Sequence, residues 1–307
     1  MAGLKQIKTK IVAMKKSQTV TKAMEAVSAA KMRKAQTTAL GGRAYARAAA
    51  AVLSRISGSH DIALHPLSAA RPVKKILYIV ITSDKGLAGA LNSGVLRAAA
   101  ADIKESGLLS ENISIIAVGR KANDYFAARG YTIEVFHPNT AAVDPALVRA
   151  IVNEAARRFT LSGVERVDRV KIVYQNFFST FEQRPTVRQI FPLMSSELER
   201  VVQDIAPVRG AFAENIKKQA SNYKPANYTI EPSGEEVVDT VLPMLASVIV
   251  YHALLESQAS EHSARMVAMK SASDKAAEMQ DELTLQFNKA RQAAITREVS
   301  EIISGTL

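Results

Sequence analysis

From Ser233 to Ser304 the sequence reads as a single, very long helix. Stepping three and four residues apart, Val238, Val241, Leu245, Val248, His252, Leu255, Ala259, His262, Met266 and Met269 form a seam that is apolar apart from its two histidines. This is the heptad pattern of a helix that coils against another. After a polar stretch the seam resumes at Leu283, Phe287, Ala290 and Ala294. At ~1.5 Å of rise per residue, such a helix is a rod roughly 100 Å long. A compact domain of this size cannot enclose it, so it must project.

Ser233-Gly234-Glu235-Glu236 fits a capping box at the start of the helix, with two acids placed at the positive end of the helix dipole. Pro243 removes one internal hydrogen bond, which predicts a bend or a start nearer Leu242. Gly305 supplies the stop.

A second helix opens the chain. Leu4, Ile7, Ile11, Met14 and Gln18 make a heptad seam that the sequence continues as Val20, Met24 and Val27, with alanines filling much of the stretch up to Ile56. The Gly41-Gly42 pair predicts a weak point. Neither terminal helix can bury its seam alone, so the simplest arrangement pairs them as an antiparallel coiled coil. Between them the pattern changes to alternating strands and helices. KKILYIVIT (74–82), ISIIAVG (113–119) and YTIEVF (131–136) read as strands, and residues 95–104, a segment ending at Arg129, and residues 145–161 read as helices. Residues 168–177 and 184–191 read as a hairpin. This order predicts a Rossmann-like α/β domain with a mostly parallel sheet. The divisions are then 1–58 and 233–307 for the coiled-coil helices, 59–72 for a linker, 73–192 for the α/β domain and 193–232 for a connector.

Charge narrows the function. The net charge is +11, and residues 1–57 carry that whole excess, with twelve Lys or Arg against Glu25 alone. Such asymmetry predicts an acidic partner surface. Nucleic acid is a poor fit, because aromatic side chains that would stack on bases are missing between most of these charges. An anionic membrane surface is no better, since the apolar face is narrow and alanine-rich. The basic, acid-free start, MAGLKQIKTK, is read as the first helix rather than as a transit peptide. There is no cysteine, so no disulfide, thiolate metal site or dithiol switch can form. No uninterrupted apolar run approaches the ~18 residues that span a bilayer.

No catalytic constellation stands out. The loop Ser83–Gly94 lies between a strand and a helix, where phosphate loops occur, but lacks both the P-loop and the dinucleotide glycine spacing, and Asp84 would repel phosphate. It reads as a tight strand-to-helix turn. His252 and His262 are ten residues apart on the seam, not the four that would place a metal pair on one face, and read as polar seam positions.

Four blocks carry a resemblance: VTKAMEAVSAAKMRKAQ (20–36), TSDKGLAGALNS (82–93), HSARMVAMKSASD (262–274) and NKARQAAITREVSEIISG (288–305). Together they closely resemble the gamma subunits of F-type ATP synthases, in the right order over essentially the whole chain. The resemblance implies a central rotor shaft, not itself an enzyme. Its terminal helices would form a coiled coil inside a collar of three alpha and three beta subunits. The α/β domain would be a foot beside the epsilon subunit and the membrane c-ring, with a single copy per complex, no nucleic acid, and room for an inhibitor subunit. ATP, ADP and magnesium would be held by the alpha and beta subunits, and no cofactor by this chain. The implied location is the cytoplasmic side of a bacterial inner membrane, peripheral, with the mitochondrial matrix face as the alternative. Residue by residue, Met24 and Arg265 match positions that meet, or are coupled to, the beta subunits. Arg291 and Gln292 match a pair that hydrogen-bonds a beta-subunit loop, Thr296 and Glu298 match coupling neighbours, and Tyr228 and Glu231 match a segment near the ring. Two departures are visible. Lys275 follows Asp274 where the family often has Asn, and Thr306 follows Gly305 where Ala is usual.

Overall fold

The computed structural model describes residues 2–56, 65–140, 142–193 and 233–305, with only the helical backbone described over 39–56. Helix α1 (Ala2–Ile56) runs through Gly41-Gly42 without a break. Strand β1 (Ile76–Ile81) leads to α2 (Leu91–Ser106), β2 (Ile113–Val118), α3 (Arg120–Ala127), β3 (Thr132–His137) and α4 (Pro145–Thr160). Strands β4 (Arg169–Phe177) and β5 (Gln183–Phe191) precede α5 (Gly234–Gly305).

The sheet order is β3-β2-β1-β4-β5. Strands β3, β2, β1 and β4 are parallel, and β5 is antiparallel to β4. All six residues of β1 are buried, as expected of a central parallel strand covered on both faces. On one face Ile76, Tyr78 and Val80 pack with Val95, Ala99 and Ile103 of α2 and Phe126 of α3. On the other, Leu77, Ile79 and Ile81 pack with Ile151, Ala155 and Phe159 of α4 and with Val238, Leu245, Ile249 and Leu254 of α5. Asp168 locks β4 beside β1, its carboxylate accepting from the backbone amides of Lys74 (2.9 Å) and Lys75 (3.1 Å). The sheet prediction therefore holds, with the first third of the long helix as an added covering layer.

That layer explains the composition of α5. Part of this helix is apolar enough, over an 18-residue window, to cross a membrane by composition, although no uninterrupted run stands out in the sequence. Leu242, Ala246, Ile249, Val250, Ala253 and Leu254 are all buried although they lie off the heptad seam. A helix that is apolar all round is a buried one; here it lies between the sheet and its neighbours. The helix begins at Gly234, not near Leu242, and Pro243 sits inside it. Ser233 caps it, accepting from the Glu236 amide at 3.2 Å.

Beyond the sheet α5 pairs with α1. Lys31 lies close enough to Glu261 and His262 to act on both. From there the inward positions run toward Ala2 in one helix and toward Gly305 in the other, so the pair is antiparallel. In α5 they continue through the polar stretch as Met269, Ser273, Ala276, Gln280, Leu283, Phe287, Ala290 and Ala294. In α1 the sequence reading needs correction after Gln18. The inward positions are Thr21, Met24 with Glu25, Ser28, Met32 and Ala35, whereas Val20 and Val27 are 57% and 55% exposed. Hydrophobicity drew the seam to the valines; strict heptad spacing carries it through small and polar residues.

Candidate functional site

Two regions stand out on the long helix: a polar stretch gripped by the α/β domain, and the exposed end of the rod. In the first, Glu256, Ser257, Gln258, Ser260, His262, Ser263 and Arg265 are all buried. Buried polar groups need partners, and here most of the partners are backbone carbonyls at the carboxyl edge of the sheet. Gln258 Nε2 donates to Thr140 O after β3 at 2.7 Å. Ser260 Oγ donates to Gln175 O in β4 at 3.2 Å, and Ser263 Oγ to Thr180 O in the β4–β5 turn at 2.6 Å. The Arg265 guanidinium donates to Gly86 O after β1 at 3.3 and 3.4 Å and to Glu261 Oε1 at 2.8 Å. His252 Nε2 stands 3.4 Å from Glu256 Oε1 on the same helix.

The electrostatics follow from burial. Desolvation raises the Glu261 carboxyl above its usual range even though Arg265 opposes the shift. His262 is pushed down to about 4, first by burial and then by the nearby Arg265 and Lys31 charges. It is therefore neutral near pH 7. Both seam histidines are buried polar positions on α5, and among the described residues no cluster of His, Asp and Glu could hold a metal ion.

The loop after β1 is held by its own polar groups. The Asp84 carboxylate accepts from the Arg120 amide at 2.8 Å, capping α3. Ser83 and Asn92 bond each other, and Asn139 Nδ2 donates to Thr82 O at 2.7 Å. Gly119 passes so close that a Cβ there would lie 2.1 Å from Thr82 O, and its φ of +92° belongs to glycine. The phosphate-like position in sequence is thus an internally bonded turn, with its helix-capping carboxylate turned onto α3.

The rod end is the second region. Ile295, Val299 and Ile302 are 51%, 48% and 68% exposed. Their four-then-three spacing makes an outward apolar stripe, separate from the inward positions Phe287, Ala290 and Ala294. Arg291, Gln292, Thr296 and Glu298 are all exposed around it. Met24 is half-buried in the α1–α5 contact, and Arg265 faces inward, about 40 Å along the helix axis from Arg291. Tyr228 and Glu231 lie outside the described residues. The expected residues within the described chain thus fall into an exposed group at the rod end, Arg265 at the sheet edge and Met24 in the helix pair. Gln258, Ser260 and Ser263 escaped the sequence reading. Their signal was present as a short polar run interrupting an apolar helix.

A family model described as ATP synthase matches residues 3–307. The chain is 38% identical over 306 residues to an ATP synthase gamma chain of Heliobacterium modesticaldum, covering 99% of this chain and 98% of that one. It is 37% identical over 305 residues to a gamma chain of Brevibacillus brevis, covering 99% and 97%. Among solved structures, a chain of the Euglena gracilis mitochondrial ATP synthase (OSCP/F1/c-ring) aligns with a TM-score of 0.64 at 19% identity, covering 99% of this chain and 94% of that one. A chain of the Tetrahymena thermophila mitochondrial ATP synthase central stalk/c-ring aligns at 0.59 and 22% identity, covering 83% and 99%. At these identities the two structures speak for the fold.

Proposed function

The chain belongs to the ATP synthase gamma chain family, and from that premise we propose that it is the central rotor shaft of a proton-translocating F-type ATP synthase. The observation that carries this reading is the exposed end of the rod. Ile295, Val299 and Ile302 face outward, and an apolar stripe at the tip of a projecting helix pair calls for a partner that encloses it. A collar of three alpha and three beta subunits is such a partner. Arg291 and Gln292, exposed beside the stripe, would hydrogen-bond a beta-subunit loop, with Thr296 and Glu298 as coupling neighbours, and the basic α1 suits acidic loops on the same subunits.

In this reading the chain does no bond chemistry. ATP, ADP and magnesium are bound by the alpha and beta subunits, and the c-ring and epsilon subunit sit at the α/β foot. A charge crossing the membrane is worth ~2.3 kcal/mol per 100 mV, so several charges per step supply on the order of 10 kcal/mol. That energy reaches the collar as torque along the rod, whose asymmetric surface drives the three beta sites through their states in turn. The same contacts let the shaft regulate ATP hydrolysis and proton flow. The complex would lie on the cytoplasmic side of a bacterial inner membrane, with one copy of this chain.

Native mass spectrometry of the tagged chain purified from its host at moderate salt tests the assignment. The expected particle holds one copy of the chain with three each of two larger nucleotide-binding subunits. A chain recovered alone, or with nucleic acid that salt strips off, would refute the shaft.

A further inference from the structure

Open α/β sheets bind their ligands in the crevice at the carboxyl ends of the strands, where the chain order switches direction. In this sheet the switch lies at β1, which has β2 on one side and β4 on the other. No ligand is needed to fill that crevice, because α5 lies across it. Arg265 reaches the loop after β1, Ser260 the end of β4, Gln258 the loop after β3 and Ser263 the β4–β5 turn. We infer that the switch-point crevice is a socket for the protein's own shaft, and that Gln258, Ser260, Ser263 and Arg265 are the positioning residues through which torque passes between foot and rod.

The geometry suits that task. At 3.6 residues per turn, Gln258 and Arg265 lie on one side of the helix, and Ser260 and Ser263 lie on nearly the opposite side. Two pairs of directional bonds on opposite sides act as a couple against rotation about the helix axis. Apolar packing alone resists separation but has little directional preference. It holds the preceding turns, Val238 to Leu254, onto the sheet. The serines are fully buried and small, so the helix backbone can sit close to the strand ends. All four acceptors are main-chain carbonyls, which move only with the strand end and loops that carry them. Glu261 holds the Arg265 guanidinium from the helix side at 2.8 Å, which leaves its fork facing Gly86.

The inference takes its readout from the rotor reading, so two measurements keep the two apart. Hydrogen exchange on the full chain compares wild type with the double variant Ser260→Ala/Ser263→Ala and with Arg265→Lys. Exchange should rise about five-fold per lost bond in helix residues 258–265 and in the loops they hold, with the β1 and β2 core unchanged. In the assembled complex, a bead on the foot of the double variant should show wider thermal angular fluctuation against a locked collar, at an unchanged rate of ATP hydrolysis. A serine pair that only aided folding would lower assembly and hydrolysis without softening the rotor. Unchanged exchange, or raised exchange with unchanged angular stiffness in an intact complex, overturns the inference. If the wild-type chain enters no such complex, the rotor reading has failed instead. Arg265→Lys keeps the charge and most of the volume, so it provides a second reading should the serine pair impair folding.

Discussion

Gly119 shows how little freedom single positions have at the sheet's carboxyl edge. A methyl group there meets the Thr82 carbonyl at 2.1 Å, in a backbone conformation unfavourable to side chains. Gly119→Ala should therefore cost more than about 3 kcal/mol, seen as a lower urea midpoint or as insoluble protein. Arg265→Ala should cost about 3 kcal/mol at pH 7, because it leaves the largely buried Glu261 carboxylate without its partner; equal urea midpoints would show that the pair contributes nothing. His262 gives a pH signature. Its folded-state value is lowered from 6.5 to about 4. As pH falls through that window the unfolded chain takes up a proton that the folded chain refuses, so stability present above pH 6.5 is progressively lost. His262→Gln should flatten the fall in urea midpoint between pH 7 and pH 4.5, and parallel curves for the two proteins would contradict the assignment.

At the scale of elements, α5 does three jobs in sequence. Its first third closes the sheet, a short stretch from Gln258 to Arg265 is gripped by the strand ends, and the remainder pairs with α1 while its end presents Ile295, Val299 and Ile302 outward. Val299→Asp/Ile302→Asp should leave the chain's own stability within about 0.5 kcal/mol, because both side chains are already in water. Assembly should suffer, since each charge would have to be buried in the collar. Co-purification of the larger subunits measures this, and undiminished recovery would move the interface elsewhere. The same division explains the misread stretch of α1. Val20 and Val27 looked like core by hydrophobicity, but the register set by Leu4 to Gln18 continues through Thr21, Glu25 and Ser28.

The whole molecule is a rod with a handle near one end. Socket and tip are separated by about 40 Å of helix, so they should act independently on stability. Arg291→Ala/Gln292→Ala combined with Ser260→Ala/Ser263→Ala should change the chain's unfolding free energy by the sum of the two effects, within about 0.5 kcal/mol. Both pairs should lower ATP synthesis in the assembled enzyme, the tip pair without altering hydrogen exchange at the socket. Coupled exchange changes between the two ends would mean that the rod does not behave as one rigid helix pair.

The long helix, its cap at Ser233 and the order of strands and helices were legible in the chain because each rests on local period or composition. The family blocks were legible for the same reason, as contiguous residues. What only the tertiary structure decided is which faces α5 offers to which neighbour. A heptad seam cannot tell a coiled-coil partner from a sheet, since both take apolar side chains, and so the first third of the helix read as coil. The socket was hidden more deeply. Gln258, Ser260, Ser263 and Arg265 find carbonyls brought to one place by strand order alone, and main-chain acceptors leave no mark on the identity of the residues that carry them.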